Sequence, residues 1–101
     1  MILVYTTCSN KEEADKISNH LLDKRLCACT NMFPIESSYW WKGKKEKAEE
    51  YVLIIKTISA KFNIIKEEIK KIHSYDTPCI LKIEIADGNK EYVSWIGQEV
   101  R

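Results

Sequence analysis

His73 is the residue whose type and position best suit it to chemistry. It closes an amphipathic stretch and so falls at the C-terminus of a predicted helix, where the dipole favours a protonated imidazole. Imidazole suits copper and zinc. Asp76, just beyond Tyr75, offers a second ligand or a group to orient the ring. The alternative role for His73 is to cap the helix in a structural turn. Cys27 and Cys29 are two apart on a predicted strand, so they share a face and would present soft thiolates to Cu(I). Two thiolates make an incomplete site, which a second chain or His20 would have to complete. The other reading for this pair is packing in the core. Lys56, Lys82 and Glu84 fall in strands that read as buried, and buried charges need partners. They pair with one another or line a cleft between subunits.

Other chemistries are poorly provided for. The four cysteines form no C-x-x-C pair, which excludes a zinc ribbon or a dithiol redox motif. No nucleophile–base–orienter set and no glycine-rich phosphate loop occurs. The segment Cys8-Ser9-Asn10-Lys11 lacks the arginine that an anion cradle would use. The expectation is a binding protein, not an enzyme, with no organic cofactor. Lys and Arg number 16 against 15 Asp and Glu, a balance that argues against a nucleic-acid partner. An RNA-binding sheet would also need exposed aromatics on its central strands, and residues 51–55 carry no such cluster. No charged start with an apolar follow-on and no apolar run of ~18 residues is present, so a cytoplasmic protein with reduced thiols and no membrane partner is expected.

The elements that would position these residues are legible in the periodicity. The chain of 101 residues is read as one domain, residues 1–101. Residues 1–7 are apolar and read as a strand. Ser9 and Glu12 form a predicted capping box, and Ala14, Ile17, Leu21 and Leu22 make a helical stripe ending near Arg25. Residues 26–34 read as a strand in which Pro34 marks an edge or a bend. The strand resumes with Ile35, Ser37, Tyr39 and Trp41 on one face and Trp40 on the other. Gly43 is a turn residue, and the basic run Lys42, Lys44, Lys45 and Lys47 reads as a solvated hairpin tip before a strand at 49–57. Ser59 is the predicted cap of a second helix carrying Phe62, Ile65, Ile69 and Ile72. A strand at 79–86, a turn at Asp87-Gly88-Asn89 and a last helix at 90–98 complete the chain. The β-α-β-β-α-β order predicts an α+β, ferredoxin-like sandwich with a C-terminal helix and a long hairpin.

Both long helices must cover one face of that sheet, yet residues 51–55 are apolar without alternation. The second face therefore needs cover that comes partly from other copies of the chain; the alternative is that the terminal helix covers it all. Tyr39, Trp40 and Trp41 are the expected anchors of such an interface.

Several segments together resemble one family. They are Tyr5-Thr6-Thr7, Arg25-Leu26, Cys29-x-Asn31-x-x-Pro34, Tyr39-Trp40-Trp41-Lys42-Gly43-Lys44 and Ile55-Lys56-Thr57, then His73-x-Tyr75-x-x-Pro78, Asp87-Gly88 and Tyr92-x-x-Trp95-Ile96. In order and spacing the chain resembles the CutA family of divalent-cation tolerance proteins over almost its whole length. The resemblance implies a homotrimer built like the PII-type signalling proteins, with hairpins paired edge to edge. It also implies binding of copper or another divalent cation and no defined catalytic activity. Metal sites suggested for the family use a first-strand cysteine and tandem histidines. The matching positions here are Thr6, Ile72 and His73, so only His73 carries over, and Ser74 stands where proline is usual. Cys29 matches a cysteine position common in the family. The expected metal ligands are thus His73, Cys29 and Asp76. Lys56, Tyr75 and Glu84 are the residues expected to line an inter-subunit cleft, where a PII-like small-molecule sensor, the alternative function, would hold its ligand.

Overall fold

The computed structural model describes residues 1–101. Four strands and three helices follow in the order β1 (Ile2–Cys8), α1 (Lys11–Asp23), β2 (Cys29–Trp41), β3 (Lys44–Thr57), α2 (Phe62–Ile72), β4 (Ile80–Glu84) and α3 (Lys90–Glu99). The strands form one antiparallel sheet in the order β2-β3-β1-β4, the ferredoxin-like arrangement expected from the sequence.

Strict alternation along β1 turns Ile2, Val4, Thr6 and Cys8 inward, and the register sets Thr57, Ile55 and Leu53 of β3 beside the first three. Ala14, Ile17 and Leu21 of α1 and Ile65 and Ile69 of α2 close over them. Every one of these side chains is inaccessible to solvent, and each fully buried Ile or Leu contributes roughly 1.5–3 kcal/mol.

The helix starts differ from expectation. Asn10, not Ser9, caps α1. Its Oδ1 accepts the Glu13 N–H at 2.9 Å, while Glu13 Oε1 accepts the Ser9 N–H at 2.9 Å. The box has slipped by one residue because Asn10 competes for the same role and its oxygen reaches the third helical amide. At the other end, Arg25 takes φ +58° and Leu26 N–H returns to the Leu21 carbonyl at 3.0 Å, which satisfies the last turn. Ser59 does not cap α2. It opens a single 3-10 turn, Ser59–Lys61, and the two cap positions fall to Ile58 and Lys61, neither of which makes a side-chain capping bond.

The hairpin turn is shorter than predicted. Only Lys42 (φ +50°) and Gly43 (φ +78°) are in it, and two left-handed residues make the tight turn that matches strand twist. Lys44, Lys45 and Lys47 are therefore strand residues of β3, solvent-exposed as the expected solvated tip would have them. Pro34 lies on the outer strand of the sheet, in register with Tyr51. The hairpin projects from the body, giving extents of 45 × 26 × 21 Å and a radius of gyration of 14.2 Å. A compact chain of ~100 residues would have about 13 Å.

The face away from α1 and α2 carries Phe33, Tyr5, Ile54, Leu81 and Ile83 by register. α3 folds over one end of it. Tyr92 receives a hydrogen bond from Lys56 at 3.1 Å, Ile96 is fully buried, and Arg25 clasps Glu99 at 2.8 Å. The remainder stays open: Leu81 is 54% exposed, and Phe33, Ile83, Tyr39 and Trp41 are also exposed on that face. Trp40, on the opposite side of the hairpin, is 72% exposed. β4 is shorter than the expected 79–86, and Lys82 and Glu84 are not buried as predicted. Both are exposed and pair with each other at 3.2 Å.

Candidate functional site

The end of α2 and the start of α1 meet over the last residues of β1. His73 is the first residue after α2, and its N–H still bonds the Ile69 carbonyl at 2.9 Å. Its side chain is fully buried. Nε2 lies 2.8 Å from the Thr7 carbonyl oxygen, which only accepts, so Nε2 carries a hydrogen. Nδ1 in turn accepts the Tyr75 N–H at 3.0 Å. One ring nitrogen thus donates and the other accepts, and both have backbone partners.

Glu13 reaches the same spot from the first turn of α1. Oε1 accepts the Ser9 N–H at 2.9 Å and the Ser9 hydroxyl at 3.0 Å, and Oε2 accepts the Ser74 N–H at 2.8 Å. Partial burial works against its charge, but the donors of Ser9 and Ser74 prevail and hold the carboxyl below its usual range. Cys8, the last residue of β1, is buried beside it. Burial, and then the charges of Glu13 and Glu50, push its thiol up to about 12. One ligand atom each from Cys8, Glu13 and His73 lies within 4.8 Å of the other two, and His73 Nδ1 is 3.9 Å from Glu13 Oε2.

Tyr75 closes the group on the hairpin side. Its hydroxyl donates to Glu50 Oε2 at 2.8 Å, and burial together with that carboxylate raises its phenol above the usual value. Next to it, an open groove of about 550 Å³ runs between the start of α1 and the base of the hairpin. Ser9 and Asn10 line it together with Glu36, Glu49 and Glu50, whose carboxylates make it acidic.

The expected ligand set is not brought together within one chain. His73 is at this site, but Asp76 is exposed and stands outside the group. Cys29 faces Lys56 across the β2–β3 ladder, and its Sγ approaches only the Thr30 carbonyl, at 3.8 Å. Lys56 pairs with Leu3, five residues along β1 from Cys8, which places Cys29 ~16 Å away along the sheet. Cys27 is a core residue whose thiol is pushed up to about 12 by burial. Nor does a single chain gather Lys56, Tyr75 and Glu84. They bond respectively to Tyr92, Glu50 and Lys82, in three separate places. Cys8 and Glu13 were the residues missed. They straddle a strand–helix junction, and no local spacing links them to His73 sixty residues later.

Comparison with known proteins agrees with this architecture. The family model described as CutA1 divalent ion tolerance protein matches residues 2–99. The divalent-cation tolerance protein CutA of Archaeoglobus fulgidus is 48% identical over 97 residues, covering 96% of this chain and 95% of that protein. The protein of the same name from Thermotoga maritima is 43% identical over 100 residues, 99% of each. A solved structure described as the periplasmic divalent cation tolerance protein CutA from Archaeoglobus fulgidus matches with a TM-score of 0.97 at 47% identity, over 100% of both chains. That of CutA1 from Pyrococcus horikoshii matches with a TM-score of 0.95 at 40% identity, over 100% of this chain and 99% of that one. From the first strand to the last helix, the chain belongs to the CutA1 divalent ion tolerance family.

Proposed function

We propose that this chain works as a homotrimer that binds divalent cations, copper among them, in a metal-tolerance role without catalysis and in the cytoplasm. The relatives named for divalent-cation tolerance support the cation part of the reading. One observation carries the assembly: the sheet face left bare by α3 keeps Phe33, Leu81 and Ile83 exposed together with Tyr39 and Trp41 of the hairpin. A lone chain rarely leaves so many large apolar side chains of one sheet face in water, and a second and third copy would cover them. No helix is long and apolar enough to cross a membrane.

A PII-like sensor of phosphate-bearing molecules is less well supported, because the groove beside Tyr75 is lined by Glu36, Glu49 and Glu50 and repels anions. Sedimentation at low micromolar concentration tests the assembly, with a species of three chains expected. A stable folded single chain would remove it. Calorimetric titration with Cu(II), comparing wild type with His73→Ala, tests the cation. Negligible heat in both would count against cation binding.

A further inference from the structure

The geometry points to a zinc-type site inside each chain, built from the Cys8 thiolate, the Glu13 carboxylate and His73 Nδ1. It rests on the cation-binding reading above and gives that reading a donor set. Three features carry it. The donors are a thiol, a carboxylate and an imidazole, a mixture that suits Zn(II) and not the oxygen-seeking Mg(II) or Ca(II). They are nearly converged: a tetrahedral zinc site holds such atoms ~3.5 Å apart, and here the widest separation is 4.8 Å and the Nδ1 to Oε2 distance 3.9 Å. The histidine is also braced as a ligand would be. Its Nε2–H is spent on the Thr7 carbonyl, which fixes the tautomer and leaves Nδ1, 3.9 Å from Glu13 Oε2, as the nitrogen able to coordinate.

Two backbone amides occupy the positions the ion would take. Tyr75 N–H sits on Nδ1 and Ser74 N–H on Glu13 Oε2. Entry of Zn(II) displaces both amides and the Cys8 thiol proton, which leaves to solvent as the sulfur–metal bond forms. The 74–75 peptide therefore has to swing outward, and the acidic groove at Glu49 and Glu50 lies on the side from which a cation would approach.

Co(II) is the probe, because a cobalt–thiolate bond absorbs in the near ultraviolet and a cobalt–oxygen site does not. Titration of the full-length protein is expected to give that absorption at one Co(II) per chain, erased by equimolar Zn(II) and untouched by excess Mg(II). Cys8→Ser abolishes the absorption and weakens Zn(II) binding by about tenfold or more, and Glu13→Gln weakens it by a similar factor. The double variant Cys29→Ser, Cys79→Ser keeps the absorption, as does the triple variant that adds Cys27→Ala, and the triple variant, with Cys8 its one remaining thiol, decides the matter even if Cys8→Ser does not fold. Absence of the absorption in wild type, its survival in Cys8→Ser, or its loss in the double or triple variant each overturns the site. Cation binding that persists in calorimetry without any thiolate absorption would remove this site while leaving the cation-binding function in place.

Discussion

Tyr75 donates its hydroxyl hydrogen to Glu50 Oε2 across 2.8 Å and so ties the segment after α2 to the middle of β3. The acceptor is charged, which makes the bond stronger than a neutral hydrogen bond. Tyr75→Phe is expected to cost about 1–2 kcal/mol, leaving Glu50 without its donor. Thermal unfolding at one fixed protein concentration measures it, since a subunit equilibrium would make the midpoint depend on concentration. An unchanged midpoint would mean that water replaces the phenol without loss.

Glu68 on α2 faces Lys24, the residue that ends α1, at 2.7 Å and its own neighbour Lys71 at 3.3 Å. The Lys24 hydrogen bond, and then that of Lys71, hold its carboxyl down to about 2 against an ordinary value of 4.5. A carboxyl whose pKa is lower in the folded state stabilises the fold fully above pH 4.5, and that contribution is lost as pH falls toward 2. Denaturant unfolding followed from pH 6 to pH 2 should show this decline in wild type and a shallower one in Glu68→Gln. High salt should weaken the effect, because Lys24 is half exposed and Lys71 more so.

Lys42 adopts φ +50° at the hairpin tip, beside Gly43 at φ +78°. Lysine bears a steric penalty there that asparagine largely escapes. Lys42→Asn is expected to stabilise the fold by about 0.5–1 kcal/mol, read as a higher urea midpoint with unchanged slope.

Leu81 and Ile83 stand exposed on the bare sheet face. Leu81→Lys would set a charge on the face proposed above for the contact between copies while costing the isolated fold little, since the side chain is not part of the buried core. The expected result is a shift from three chains to one in sedimentation with far-ultraviolet circular dichroism unchanged. Retention of the larger species would exclude this face from the interface.

The order of strands and helices was legible because it is written in apolar periodicity. Ala14, Ile17 and Leu21, like Ile65 and Ile69, recur at helical spacing and all enter the core. Local competition between equivalent residues was not legible. Ser9 and Asn10 are both good caps, and only the reach of each side chain to Glu13 decides between them. Of the candidate site, His73 and Tyr75 were visible as residue types ahead of a proline-marked break. Their partners Cys8, Glu13 and Glu50 come from elements far away in the chain, and strand register assembles them. Cys29 and Asp76 were attractive for the same chemical reasons, but a strand face and an exposed turn carry them elsewhere.

β2 forms an outer border of the sheet over 13 residues, and Pro34 interrupts it near the middle. A proline has no amide hydrogen to offer a newly arriving backbone. Strands from unfolded or misaligned molecules therefore find no unbroken row of amides to template against, and fibril-like stacking along this border is cut short at Pro34. Replacing Pro34 by threonine would restore the missing donor and with it a route to ordered aggregates, made worse by the aromatic residues at the hairpin's far end.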